Sequence, residues 1–287
     1  MEKIKNKKEI CVDYHFHANL PKDDKKAEKH IKEYWKWLDE SGIDVVLSTE
    51  HVYKNPKRAF EFLNKFKPEN KVVIPGMEYV TKEGVDIIVF SKDEKIYDYS
   101  ELKTFSMTLD KFLDFVATNE DLYTFVTHPY LKSKTGIVKN LGYKKFQEVL
   151  ERVNALEVIS GNALKQKLFK FYLLNLFSKS NFCFKQKINF PNKKFYISRE
   201  DYDPKKISFI AVGSDAHQFG EVGNCLKLKY DGGDVFERLV NSKDGEIFVR
   251  PRRHNLKSLF LAPYIILNES WIKKKIKVKN LIKKIWK

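Results

Sequence analysis

Residues 9–17 read EICVDYHFH, an apolar run that ends in two histidines placed one residue apart. The run is short and rich in β-branched and aromatic residues, which is typical of a buried strand. In an extended segment the side chains at positions i and i+2 point the same way, so His15 and His17 face one point in space. Imidazole is a common metal ligand, and the stretch therefore predicts a strand that delivers two metal ligands together.

Six further short apolar runs follow this one, and amphipathic segments separate most of them. The predicted strands are 9–13, 44–48, 71–75, 85–90, 123–127, 155–159 and 207–212, and the predicted helices are 24–40, 56–66, 108–119, 143–152 and 162–179. Residues 181–206 are predicted as a long loop or insertion, before a helix at 233–240 and a strand at 246–250. The alternation favours an α/β fold with a mostly parallel sheet, either open or closed as a barrel.

Side chains that can bind metal recur where the predicted strands end. Five of the seven histidines lie just past a predicted strand, and acidic residues lie beside them: His15, His17, Glu50, His51, Glu78, Asp86, His128, Glu157, Asp215 and His217. The carboxyl ends of parallel strands share one face of such a fold, and active sites form there. Imidazoles and carboxylates without nearby cysteines predict zinc, manganese or iron rather than a thiolate site.

The spacing of Asp215 and His217 in GSDAH (213–217) repeats the arrangement of the two N-terminal histidines, with a carboxylate first. A carboxylate can also bridge two ions, and Glu78 is the predicted bridge. Two or three ions suit the hydrolysis of phosphate esters, because one lowers the pKa of a bound water while the others hold the phosphoryl oxygens.

The order of the motifs resembles a known family. D-x-H-x-H, T-E-H, G-x-E, H-P and G-S-D-A-H, which begin at Asp13, Thr49, Gly76, His128 and Gly213, resemble the PHP (polymerase and histidinol phosphatase) superfamily of metal-dependent phosphoesterases. The resemblance covers about residues 9–220. It implies a distorted seven-stranded β/α (TIM-like) barrel with a di- or trinuclear metal site on one face.

The resemblance also implies roles for individual residues. His15, His17, Glu78 and Asp215 resemble the ligands of one metal, Glu78 and His128 those of a second, and His51 and His217 those of a third. Glu157 matches a region in which the acid commonly supports the site without binding metal, and we expect that role for it.

Three positions depart from the family pattern. Glu50 stands where an aspartate is usual, and we expect it to support the ligands from outside the metal shell. Asp86 stands where many members have a histidine; it either replaces that ligand or caps the strand, and we favour the ligand. Lys22 stands where many members have an acidic residue or histidine, which leaves a binuclear site open beside a trinuclear one.

The net charge of +16 is concentrated at the C-terminus. The last fifteen residues, KKKIKVKNLIKKIWK, carry eight lysines and no acid, so half of the excess lies there. The remaining lysines are scattered among glutamates, which favours a phosphorylated small-molecule substrate over nucleic acid.

The basic tail also has an apolar stripe at helical spacing, formed by Val278, Leu281, Ile282, Ile285 and Trp286. We predict that this stripe docks on the bottom or side of the barrel; the alternative is a helix lying on an anionic membrane or on nucleic acid. The chain thus divides into a PHP-type domain, 1–255, and a basic amphipathic extension, 256–287.

The cysteines and apolar runs bear on location. Cysteines at 11, 183 and 225 form no close pair, which argues against a disulfide framework and fits a reducing cytosol. The longest apolar run, 259–267, is about half of a membrane span, and no stretch near the N-terminus suits a signal peptide. We therefore predict a cytoplasmic protein without a transmembrane segment; the oligomeric state is not indicated.

The function favoured by these patterns is hydrolysis of phosphate monoesters by a metal-activated water. One alternative is a phosphodiesterase or exonuclease acting on short RNA or DNA, which needs a basic, aromatic-lined groove leading to the metals. The other is a non-catalytic metal-binding module with a degenerate site, which the departures at Lys22, Glu50 and Asp86 would support.

Overall fold

A computed structural model describes residues 4–5, 7–131, 135–161, 207–243, 245–249, 267–268 and 270–280. The strands within these ranges are β1 Glu9–Phe16, β2 Val45–Ser48, β3 Val72–Val80, β4 Asp86–Ser91, β5 Leu122–Val126, β6 Ala155–Ser160, β7 Phe209–Gly213, β8 Cys225–Lys229 and β9 Glu246–Phe248. The helices are α1 Asp24–Glu40, α2 Pro56–Lys65, α3 Leu109–Ala117, α4 Ile137–Leu150, α5 Val235–Val240 and a C-terminal helix over 270–280.

Local sequence explains why the first helix forms where it does. Asp23 caps α1 by accepting a hydrogen bond from the amide of Lys26 at 2.9 Å. Its buried residues are Ala27, Ile31, Tyr34, Trp35 and Leu38, which lie on one face at helical spacing. Gly42, with φ of +72°, follows the end of the helix in the left-handed conformation that glycine adopts without strain. The predicted range for this helix is therefore confirmed.

All described strands belong to one mixed sheet in the order β7-β6-β5-β4-β3-β2-β1-β8-β9. Four neighbouring pairs are parallel: β1 with β2, β2 with β3, β5 with β6, and β6 with β7. The other four pairs are antiparallel. An apolar core of buried residues from the strands and from α3, α4 and α5 lies on one side, while α1 and α2 cover a second apolar cluster.

The edge strand β7 approaches the end of β1, which lies six strands away in the sheet order. Phe16 forms an isolated parallel bridge with Ala216, and the amide of Asp215 donates to the carbonyl oxygen of His15 at 2.7 Å. Gly213 permits this approach, because a Cβ atom there would lie 2.2 Å from the Cβ of His15. The sheet is therefore nearly closed into a barrel.

The predicted seven-stranded TIM-like barrel is wrong, because the described chain forms nine strands of mixed direction. The link 81–85 between β3 and β4 is too short for the crossover that parallel strands require, so the two strands pair antiparallel. Strand β8 escaped prediction because CLKLK alternates apolar residues with lysines instead of forming an apolar run. The α/β character itself is confirmed.

Helix α4 is longer than predicted. It begins at Ile137, whereas the sequence predicted a start at 143, because a kink at Gly142, with φ of +86°, joins two helical pieces. The helix predicted at 162–179 and the loop at 181–206 lie outside the described residues. Within the described ranges, none of the helices has both the length and the apolar character of a membrane span.

Candidate metal centre

The eight residues predicted as metal ligands all lie at one end of the sheet. Each is buried except for His217, which is partly exposed: His15, His17, His51, Glu78, Asp86, His128, Asp215 and His217. The parallel strands contribute residues at or after their carboxyl ends. Asp86 reaches the same end by a different route, since it begins β4, which runs antiparallel to β3.

These side chains form three groups that could each hold a metal ion. Within each group the ligand atoms lie within 4.8 Å of one another. The groups are His15, His17 and Asp215; His17, His51 and His217; and Glu78, Asp86 and His128. Because His17 belongs to two groups, those two are adjacent.

Glu78 touches members of all three groups. Its Oε1 lies 3.1 Å from His128 Nε2 and 3.8 Å from His15 Nε2. Its Oε2 lies 2.6 Å from His51 Nδ1 and 3.4 Å from His17 Nε2. The carboxylate therefore occupies the centre of the cluster, where the bridge between ions was predicted.

His15 at the end of β1 and His17 just after it aim the same ring nitrogen at the cluster. His15 Nε2 and His17 Nε2 are 3.0 Å apart. On the far side of the first ring, Nδ1 of His15 lies 3.0 Å from Glu157 Oε1 and 3.0 Å from the hydroxyl oxygen of Thr127. A carboxylate at Nδ1 favours the tautomer with the proton on that nitrogen, which leaves the Nε2 lone pair directed at the site.

Glu157 holds two of the candidate ligands at once. Besides its contact with His15, its Oε2 accepts hydrogen bonds from the Thr127 hydroxyl at 2.8 Å and from the amide of His128 at 2.7 Å. It belongs to none of the three groups. Thr127 was not predicted to contribute, although its place beside His128, at the end of a predicted strand, was a usable signal.

Glu50 lies behind His17 and links it to the neighbouring loop. Its Oε1 is 3.4 Å from His17 Nδ1, and its Oε2 accepts from the amide of Asn19 at 2.6 Å. Burial opposes ionisation of Glu50, but His17 and Lys54 outweigh it and lower its pKa to about 2. Glu50 is therefore ionised, and it belongs to none of the three groups.

Asp13 and Ser160 also support the site, and sequence reasoning assigned neither a role. Asp13 Oδ1 accepts from the amides of His15 at 3.1 Å and Ser214 at 2.9 Å, which ties the end of β1 to the turn after β7. Burial raises the pKa of Asp13 to about 7. The Ser160 hydroxyl donates to Asp215 Oδ2 at 3.0 Å, so Oδ1 of Asp215 is left facing His15 and His17.

The carboxylates and imidazoles of the cluster are a donor set that could hold cations. Burial alone would raise the pKa values of Glu78 and Asp215, but the neighbouring imidazoles hold both well below the usual carboxyl range. Ionised carboxylates in a buried site need pairing or coordination. Among the described residues, the buried nitrogen His128 Nδ1 makes no hydrogen bond. The donor set of imidazoles and carboxylates therefore fits zinc, manganese or iron.

One lysine from outside the barrel also reaches the cluster. Lys273 Nζ, from the C-terminal helix, lies 3.4 Å from Asp86 Oδ1. Burial raises the pKa of Asp86, and the lysine opposes that shift. Sequence reasoning missed this contact, because nothing distinguishes Lys273 from the other lysines of the tail.

Comparison with known proteins bears on the fold. Neither a protein-family model nor a curated protein sequence matches the chain. The crystal structure of PsfC from Pseudomonas syringae PB-5123 is similar, with a TM-score of 0.57 and 14% identity over 94% of this chain and 100% of that chain. At that identity the likeness concerns the fold alone.

Two endonuclease structures match more weakly. The lesion-specific endonuclease PfuEndoQ from Pyrococcus furiosus has a TM-score of 0.47 and 14% identity, over 83% of this chain and 57% of that chain. Endonuclease Q in complex with a 27-mer duplex carrying an abasic lesion has a TM-score of 0.46 and 15% identity, over 80% and 55% of the two chains. The chain thus spans just over half of each endonuclease, and at these scores the likeness carries no argument about function.

A Glu157→Gln variant tests how far the cluster depends on its supporting contacts. We expect metal affinity to fall by about 10- to 100-fold, because a neutral amide accepts more weakly from His15 Nδ1–H and can instead donate to Nδ1, so it no longer fixes the tautomer. Metal titration followed by calorimetry measures the change. The matched control is Glu148→Gln in α4, whose side chain is 51% exposed. Equal affinity in both variants would show that Glu157 does not set the ligand geometry.

Proposed function

We propose that this chain is a metal-dependent phosphoesterase of the PHP type that hydrolyses phosphate monoesters. In this proposal the eight residues of the three groups hold two or three divalent ions, and the reaction belongs to the domain spanning 1–255. The observation that carries the proposal is the position of Glu78, whose two oxygens face histidines from all three groups. A bridged cluster of this kind is the ligand arrangement that phosphate ester hydrolysis uses.

The chain's own residues would hold and orient the metal ligands. Divalent ions bound here would supply an activated water and neutralise charge on the phosphoryl oxygens. Glu157 holds Nδ1 of His15 at 3.0 Å, and Glu50 lies 3.4 Å from Nδ1 of His17, so both rings have a carboxylate behind them. The ionised carboxylates of Glu78 and Asp215 supply negative charge with which a divalent cation would pair.

The depth of the cluster supports a monoester as substrate. The side chain of His15 is fully buried, that of His51 is 5% exposed and that of His217 is 11% exposed. Among the described ligands, His217 is therefore the most exposed. A terminal phosphoryl group can approach ligands buried to this depth end-on, whereas a diester must bring chain on both sides of the phosphorus.

A second candidate is hydrolysis of phosphodiesters in RNA or DNA, and one observation favours it. Lys273 lies 5.4 Å from the ring centroid of Tyr53, and Lys277 lies 4.9 Å from that of Phe105. We call these four residues the rim. Tyr53 in turn stacks on His51, with centroids 4.8 Å apart. Basic and aromatic side chains beside a metal centre are the features that bind single-stranded nucleic acid.

Substrate comparison decides between the two candidates. We expect the manganese- or zinc-loaded protein to hydrolyse p-nitrophenyl phosphate and nucleoside monophosphates faster than bis-p-nitrophenyl phosphate and short oligonucleotides. Faster turnover of oligonucleotides would favour the nuclease. Bound metal without turnover of any of these substrates would favour the non-catalytic binding module and contradict the phosphatase.

A further inference from the structure

The C-terminal helix contacts the barrel through lysines. Lys273 and Lys277 are four residues apart and so lie on one face of the helix, where they contact Asp86 and the rings of the rim. By contrast, Trp271 is 61% and Val278 50% exposed. Val278 is the one described residue of the predicted apolar stripe; the other four lie outside the described ranges, so docking of the stripe stays a prediction.

The position of Lys273 brings a cation next to one group of the metal centre. Its side chain is 20% exposed, and that of its partner Asp86 is 4% exposed. Asp86 forms a group with Glu78 and His128, so the ammonium lies beside candidate metal ligands. Tyr53 contacts both the ammonium and His51, so its ring lies between the lysine and a candidate ligand of a second group.

Besides pairing with Asp86, a lysine in this position can bind an anion. An ammonium group carries three donors, and its nitrogen lies 3.4 Å from Asp86 Oδ1. Lysine binds phosphate as a point charge, which does not require the planar fork of an arginine. The Tyr53 ring holds the cation from the side by a cation–π contact.

We propose that Lys273, carried by the C-terminal helix, binds an oxygen of the substrate's phosphoryl group beside the metal centre. The inference rests on the proposed phosphoesterase function and assigns to the basic extension a part in substrate binding. It also distinguishes Lys273 from the other described lysines of the tail, for which no ion pair with a residue of the cluster is seen.

The test compares Lys273→Gln with Lys275→Gln on the metal-loaded full chain. Lys275 is on the same helix and lies over the ring of Trp271, so its replacement removes the same charge away from the centre. We expect Lys273→Gln to raise both KM for p-nitrophenyl phosphate and Ki for inorganic phosphate by about 10- to 100-fold. We expect kcat to change much less, metal content to stay constant and Lys273→Arg to restore part of the affinity.

Equal KM and phosphate Ki in the Lys273→Gln and Lys275→Gln variants would overturn the proposal. So would a loss of bound metal in Lys273→Gln, because the lysine would then act by positioning Asp86. If the unaltered protein hydrolyses none of the esters, calorimetric binding of inorganic phosphate to the metal-loaded protein gives the answer. Weaker phosphate binding in Lys273→Gln alone would support the role of Lys273 even though the proposed reaction had failed.

Discussion

A Glu78→Gln variant is expected to lose phosphoester hydrolysis by at least about 1,000-fold while its fold is retained, since losing only an outer partner of a ligand costs about 10- to 100-fold. Glutamine keeps the shape of the side chain but removes the negative charge and one acceptor oxygen. Both oxygens of Glu78 face histidines, at 3.1 Å for His128 and 2.6 Å for His51, so each of the three groups is affected. Steady-state kinetics with p-nitrophenyl phosphate and elemental analysis of bound metal measure the loss.

The control for this variant is Glu83→Gln. Glu83 lies on the link between β3 and β4, where its carboxylate accepts from the amide of Leu109 at 3.0 Å, away from the cluster. We expect the control to keep activity and metal content, and both variants to keep the circular dichroism spectrum of the unaltered protein. Unchanged metal content in Glu78→Gln would contradict the placement of Glu78 at the centre of the site.

Removal of the metals is expected to lower the melting temperature by about 5 to 16 °C. Ligands that bind only the folded state at 100 to 1,000 times their Kd stabilise it by about 2.7 to 4.1 kcal/mol, and each kcal/mol shifts the melting temperature of a large domain by roughly 2 to 4 °C. The stabilisation arises because bound cations compensate the ionised, buried carboxylates of Glu78 and Asp215. Differential scanning fluorimetry after chelation, followed by addition of zinc or manganese, measures the loss and its recovery.

The Glu78→Gln variant also serves as the control for this experiment. Its melting temperature should respond to chelation and to added metal far less than that of the unaltered protein. If chelation leaves the melting temperature and the metal content of the unaltered protein unchanged, the cluster is not a metal centre. An equal response in both proteins would instead locate the bound metal somewhere other than at Glu78.

The strands and the composition of the site were predictable from local pattern. Short apolar runs predicted β1 to β7 to within a few residues at most ends, because burial on both faces demands continuous apolar side chains. The one-residue spacing of His15 and His17 predicted convergent imidazoles, and the structure brings their Nε2 atoms to 3.0 Å. The eight residues named as ligands lie together, although their binding of metal remains a prediction.

Strand direction and strand number were not predictable in the same way. An apolar run is equally compatible with parallel and antiparallel neighbours, so β4 was assigned to a parallel barrel although it pairs antiparallel with β3 and β5. Strand β8 has lysines at alternate positions, so it lacks the continuous apolar run that predicts a buried strand. Both errors arise because pairing depends on links and neighbours that lie outside the strand itself.

By itself, the sequence determined which residues can form strands, how helix α1 is capped, and that imidazoles and carboxylates follow successive strands. Those properties depend on spacing along one segment, which the order of residues specifies completely. Only the tertiary structure decided that Asp86 joins Glu78 and His128, and that Lys273 reaches Asp86 across 187 positions of the chain. Such contacts depend on strand direction and on where a distant helix packs, because these bring together side chains that no local spacing relates.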